Sequence, residues 1–162
     1  MKAKKLLLAL CAFMIMGGNA VMAQEKAMPE EFNAENIFKL GNTNVAYQQY
    51  FIGQSYLNML TTERVPVANV TFEPGCRNNW HIHHKGGQIL LVTAGRGYYQ
   101  EWGKPAQELN PGDVVNIAPE VKHWHGAAPD SWFAHVAIEV PAEGASNEWL
   151  EPVTDEEYGK LK

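Results

Sequence analysis

From Tyr47 to about residue 140 the chain alternates short runs of Val, Ile, Tyr, Phe and Thr with clusters of Gly, Pro, Asn and Asp. Branched and aromatic side chains suit a pleated surface and the intervening residues suit turns, so the pattern predicts strands. The predicted strands are 48–52, 54–61, 67–73, 79–84, 88–94, 97–102, 106–109, 113–117, 122–127 and 132–139. Turn signals separate them, among them Pro74-Gly75, Gly86-Gly87, Gly95-Arg96-Gly97, Pro111-Gly112-Asp113 and Pro129-Asp130. No long apolar stripe of helical period interrupts the series. Many short strands at this spacing predict an all-β sandwich or barrel. Upstream, residues 24–45 are polar and mixed and read as an arm, with a helical turn predicted from Glu35 to Leu40. Downstream, within 141–162, Thr154-Asp155-Glu156-Glu157 is a capping-box pattern and predicts a short terminal helix through Leu161.

The first 23 residues differ in kind. Lys2, Lys4 and Lys5 precede an apolar run from Leu6 to Met16, and Val21-Met22-Ala23 precedes Gln24. That is the pattern of a secretory signal peptide cleaved after Ala23, its 11 apolar residues too few for the roughly 20 of a membrane span. Cys11 follows the bulky Leu10, which does not suit lipidation. The expected mature protein is therefore secreted or periplasmic, with no stable membrane span. It would keep Cys76 alone, which reads as structural, so no intrachain disulfide is possible. The remaining residues divide into the arm 24–45, one β domain at 46–140 and the C-terminal segment 141–162. Three of the 13 basic residues lie in the signal, leaving 10 against 18 acidic ones, a net charge of −8. A chain so acidic has no electrostatic footprint for nucleic acid.

All six histidines fall between residues 81 and 135. His81-Ile82-His83 on a strand points both imidazoles to one face, and His123-Trp124-His125 repeats the geometry on a later strand. Pairing or facing these strands would gather three or four imidazoles, and imidazole is the commonest metal ligand. His84 points the other way and reads as a solvent-facing residue. Trp80 and Trp124 alternate with the histidines and are expected to pack away from them.

The spacing Gly75-x5-His81-x-His83-x4-Gln88-x6-Gly95 resembles the first motif of the cupins, and Pro111-Gly112-Asp113 with Pro119 and His123 resembles the second. The chain departs from the pattern at Gln88, where glutamate is usual, at Glu120, where a turn glycine is usual, and at Ala127, where asparagine is common. Trp80-His-Ile-His83, Gly87-Gln88, Lys122-His-Trp-His-Gly-Ala-Ala128 and the Glu148–Glu156 stretch are similar to one cupin subgroup. It includes manganese-dependent cupin hydroxynitrile lyases and cupins associated with carboxymuconolactone decarboxylase domains. The resemblance implies a single jelly-roll β-barrel with an N-terminal arm and a short C-terminal helix. It also implies one divalent first-row metal, Mn foremost with Fe, Zn or Ni open, held by His81, His83, Gln88 and His123.

Three imidazoles and a neutral amide would leave the metal's charge uncompensated, favouring an anion or a polarised carbonyl or hydroxyl oxygen. His135 shares a strand face with Phe133 and Ala137, and the resemblance implies proton transfer for it. His125, beside His123, reads as the rival or as a residue orienting the ligands. Phe72 and Phe133 are the expected pocket walls. These expectations describe an enzyme acting on a small oxygenated or carbonyl compound, lyase-like and including C–C bond cleavage or formation. An Fe-dependent dioxygenase and a metal-containing binding module without turnover are the alternatives. The edges of an open sandwich must be covered, which predicts a homodimer.

Overall fold

The computed structural model describes residues 28–161. The signal segment 1–23, its cleavage point and Cys11 lie outside the described residues. In chain order the strands are β1 (Asn42–Thr43), β2 (Phe51–Ile52), β3 (Ser55–Thr61), β4 (Val67–Phe72), β5 (Arg77–Asn78), β6 (His81–His84) and β7 (Gln88–Gly95). They continue as β8 (Gly97–Glu101), β9 (Gln107–Leu109), β10 (Val114–Ile117), β11 (His123–Ala127), β12 (Phe133–Glu139) and β13 (Ser146–Trp149). One antiparallel sheet runs β1-β3-β4-β12-β7-β10. In the other, β11 pairs β8 along one side and β5 and β6 along the other, with β13 beyond β6, β2 beyond β5 and β9 beyond β8.

Period-two alternation decides what lies between the sheets. On β7 the residues Gln88, Leu90 and Val92 are buried and face inward, and their neighbours are half-buried. On β12, His135 pairs with Val70 and Val92, Ala137 with Ala68 and Leu90, and Glu139 with Gln88. The register shifts between Ala134 and His135, leaving Thr93 opposite no β12 residue. This one-residue bulge in β7 turns Ala94 to the outer face, where it is buried with Phe32, Trp132 and Ala134. The core beneath is Phe72, Leu90, Leu109, Ile117, Ala127 and Phe133, all at most 2% exposed. Each large apolar side chain buried there stabilises the fold by about 1.5–3 kcal/mol.

The arm and tail depart from expectation. The N-terminal helix α1 spans Glu30–Glu35, not Glu35 to Leu40. Phe32 is its buried residue and packs on Trp132 at 5.8 Å between ring centroids, Pro29 stands at the N-cap, and Glu30 and Glu31 face the positive helix end. From Asn36 to Gly41 the chain runs without helix, and the Lys39 carbonyl accepts from the amides of Asn58 and Asn69. The predicted strand 48–52 is a 3-10 turn, Gln48–Tyr50, followed by the two residues of β2. The terminal helix α2 is confined to Asp155–Tyr158, with both halves of its capping box formed between Thr154 and Glu157. The tail is fastened by Arg77, a buried guanidinium that donates to the Val153 carbonyl and pairs with Asp155 while lying 4.3 Å over the Tyr158 ring. Among the described residues no helix is long and apolar enough to cross a membrane.

Candidate metal centre

His81 and His83 are buried on one face of β6, and His123 on β11 pairs directly with His81. One nitrogen from each of these three residues lies within 4.8 Å of the others. Each ring is oriented from behind. Nδ1 of His81 lies 3.0 Å from the Asn79 carbonyl, and Nδ1 of His123 lies 2.9 Å from the Val121 carbonyl. Nδ1 of His83 lies 2.8 Å from Oδ1 of Asn147 and 3.1 Å from the Glu139 carboxylate. Carbonyl and carboxylate oxygens only accept, so each Nδ1 carries the hydrogen and each Nε2 presents a lone pair to the cluster.

The Nε2 atoms of His83 and His123 and Oε1 of Gln88 are all buried without a hydrogen-bond partner. Orphaned acceptors cost about 1–3 kcal/mol each, a penalty that a shared cation removes. Burial holds the imidazoles of His81 and His123 well below the usual histidine range, His123 at about 4. Both are therefore unprotonated ligands at neutral pH. The donor set fits a divalent metal bound through three imidazoles and one amide oxygen.

Gln88 reaches this cluster through the Gly86-Gly87 turn. Gly87 has φ of +84°, and a Cβ there would meet the Ile117 carbonyl at 2.4 Å, while one at Gly86 would meet the Val140 carbonyl at 1.9 Å. Glu120, at the position where a glycine is usual, does adopt positive φ, 67°. Its carboxylate is held by the Lys85 amide and by His84 Nδ1 at 2.6 Å, which offsets the strain. His84 thus faces outward as expected, bridging Glu120 and Glu148.

Sequence reasoning missed Glu139, Asn147 and Trp149. Glu139 continues the 133, 135, 137 alternation of β12, a signal that was readable. Trp149 stacks on His81 with centroids 4.7 Å apart, and Tyr50 stacks on Trp149 in turn, also at 4.7 Å. Glu139 corrects the expectation of an uncompensated charge, since a carboxylate contacts two of the candidate ligands, His83 and Gln88.

His125 is buried on the same β11 face as His123. Its Nδ1 lies 3.2 Å from Nε2 of His135, and Asn78, whose Oδ1 accepts from the His125 backbone, holds its amide nitrogen 3.0 Å from His125 Nε2. His125 therefore orients none of the candidate ligands, contrary to one expected role; backbone carbonyls, Asn147 and Glu139 do that. It stands between the cluster and His135, with ring centroids 5.5 Å from His81 and 4.8 Å from His135. His81, His83, Gln88, His125 and His135 all border one cavity. Its walls are Leu57, Met59, Ala68, Val70, Ala137 and Trp149. Phe72 and Phe133, the expected walls, are fully buried and pack against the His135 ring at 5.5 Å rather than lining the cavity. Trp80 and Trp124 pack away from the histidines with Tyr98, Val153 and Tyr158. Burial pushes the Cys76 thiol far up, which keeps it inert.

Two facing antiparallel sheets with a histidine cluster between them define a small metal-binding β-barrel protein. Residues 68–136 match the cupin domain, and the chain belongs to the cupin family. It is 52% identical over 91 residues to the (R)-mandelonitrile lyase of Granulicella tundricola, across 56% of this chain and 69% of that protein. It is 29% identical over 79 residues to an acireductone dioxygenase of Bacillus pumilus, across 46% of this chain and 42% of that protein. Among solved structures, a cupin-like protein from Thermotoga maritima shares 47% identity at a TM-score of 0.72, across 77% of this chain and 96% of that protein.

Proposed function

We propose that this protein is an exported, metal-dependent cupin enzyme that cleaves or forms a C–C bond in a small hydroxyl or carbonyl compound. The supporting observation is the set of buried, partnerless acceptors, His83 Nε2, His123 Nε2 and Gln88 Oε1, beside a cavity that His125 and His135 also border. A divalent metal held there, Mn foremost, supplies Lewis acidity toward a hydroxyl or carbonyl oxygen. The chain's own residues supply the rest. Leu57, Val70, Ala137 and Trp149 give an apolar body somewhere to lie and exclude water. His125 and His135, both driven to the neutral form by burial, accept the hydroxyl proton. Among the described residues around the cavity there is no Lys or Arg, and Glu139 is the one carboxylate. That favours a neutral substrate over a keto acid or a phosphate ester.

The relative that cleaves (R)-mandelonitrile supplies the first substrate to try. Metal-loaded protein is expected to release aldehyde and cyanide from an aryl cyanohydrin. Chelator-treated protein and His81→Ala are expected to lose that release together with bound metal. Absence of metal from the purified protein, or release independent of it, overturns the proposal.

The same protein is proposed to work as a homodimer. Val114 on the sheet-edge strand β10 is 61% exposed, and that open edge is one that a second subunit would cover. Sedimentation at micromolar concentration is expected to give twice the chain mass; a monomer rules the dimer out.

A further inference from the structure

Glu139 lies outside the segment that matches the cupin domain, yet it touches two of the four candidate ligands. Its Oε1 lies 2.5 Å from Nε2 of Gln88, and its Oε2 lies 3.1 Å from Nδ1 of His83. The register makes this contact obligatory, because Glu139 and Gln88 are direct partners across β12 and β7. We infer that Glu139 is the positioning residue of the metal site: its carboxylate fixes the Gln88 amide with the oxygen toward the metal and holds the His83 tautomer.

This role rests on the metal reading above. A glutamine side chain has two chemically different ends, and strand geometry alone does not choose between them. A carboxylate accepts and never donates, so it can face only the NH2 end. The carbonyl end is then forced toward the cluster, where Oε1 is buried with no other partner. Rotating the amide would set oxygen against carboxylate and aim NH2 at the metal. The second carboxylate oxygen fixes the hydrogen of His83 on Nδ1, alongside the Asn147 amide oxygen. One side chain thereby orients half of the donor set, and it brings a negative charge to a site whose ligands are all neutral.

The pair also changes what a carboxylate ligand would do at position 88. In Gln88→Glu the new carboxylate would meet Glu139 with no hydrogen between them. Metal retention, which the ligand chemistry of a carboxylate alone would predict, is therefore expected to suffer. The double variant Gln88→Glu with Glu139→Gln restores a donor to the pair, because the amide NH2 introduced on β12 can face the carboxylate introduced on β7.

The test is Mn(II) and Co(II) affinity by chelator competition, with the visible absorption spectrum of the Co(II) protein as a second readout. Wild type, His81→Ala, Glu139→Gln, Glu139→Ala, Gln88→Glu and the double variant are compared, and circular dichroism checks folding. Glu139→Gln and Glu139→Ala are expected to bind about 10- to 100-fold more weakly, the usual scale for loss of an outer partner of a metal ligand. Their Co(II) spectra are expected to shift. The double variant is expected to recover most of the affinity that Gln88→Glu loses. Wild-type affinity and an unchanged spectrum in both Glu139 variants overturn the inference, as does a double variant no better than Gln88→Glu. If wild type itself binds no more tightly than His81→Ala, the metal reading fails and the inference falls with it.

Discussion

Alanine at His125 or at His135 is expected to lower turnover of an accepted substrate by about 10²- to 10⁴-fold while leaving the metal in place. The expectation comes from how the two rings are held. Burial keeps both rings unprotonated at neutral pH, His135 at about 3 and His125 well below the usual range, so each retains a nitrogen lone pair to offer the substrate. His125 Nδ1 and His135 Nε2 are 3.2 Å apart, so a proton reaching one is shared with the other. His125 also stands next to the cluster, where substrate oxygen would sit, while His135 lies behind it. The two should act as one unit, so the double variant is expected to be no slower than the slower single one. Metal should stay because the ring hydrogens of the ligands go to Asn79, Val121, Asn147 and Glu139, none of which contacts are lost. Gln in place of each His guards against a cavity in the core. Metal analysis and rates decide the matter: loss of metal from the His125 variants, or full activity of the His135 variants, would show the pair to be structural.

Acid should unfold the metal-free protein steeply. His81, His123, His125 and His135 all have folded values below the unfolded value near 6.5, each with burial as the largest cause. Between 6.5 and those folded values the unfolded chain binds more protons than the native one. Stability therefore falls as pH falls, by on the order of 1 kcal/mol per pH unit for each fully displaced histidine. Several such groups rival the roughly 5–15 kcal/mol that holds a domain together. His84 works in the opposite sense. Its pKa is raised by Glu120 and then Glu148, so its contribution is present below 6.5 and lost as pH rises through the raised value. It is exposed to water, so its effect is small beside that of the four buried rings. The melting temperature of chelator-treated protein is expected to drop sharply between about pH 6.5 and 4.5. Excess Mn(II) at a hundredfold over Kd should add about 3 kcal/mol and move the drop to lower pH. A melting temperature that stays flat from neutrality to acid, with or without metal, contradicts the assignment.

Much of the centre was legible before folding was considered. The strand pattern located most of the β segments to within a residue or two, and α2 was marked by the Thr154–Glu157 box. Period-two alternation placed His81 with His83 and His123 with His125, and turned His84, Trp80 and Trp124 away. What failed were features whose cause is distant in the chain. The short strands β5 and β13 carry little local pattern and exist because β11 and β6 offer them edges. The helix sits at Glu30–Glu35 because Phe32 finds Trp132 about a hundred residues away.

Local alternation and residue chemistry thus determined which side chains share a strand face and which of them can bind a metal. Pairing of strands far apart in sequence decided the rest. It put His123 opposite His81, brought Glu139 against Gln88 and His83, and folded Asn147 and Trp149 of the tail over the cluster. It also paired β11 with β8 and β12 with β7, which set His135 behind His125 rather than beside the ligands. The physical reason is that a strand's face follows from its own period, whereas its neighbours follow from register, and register is settled only when both sheets close on their shared core.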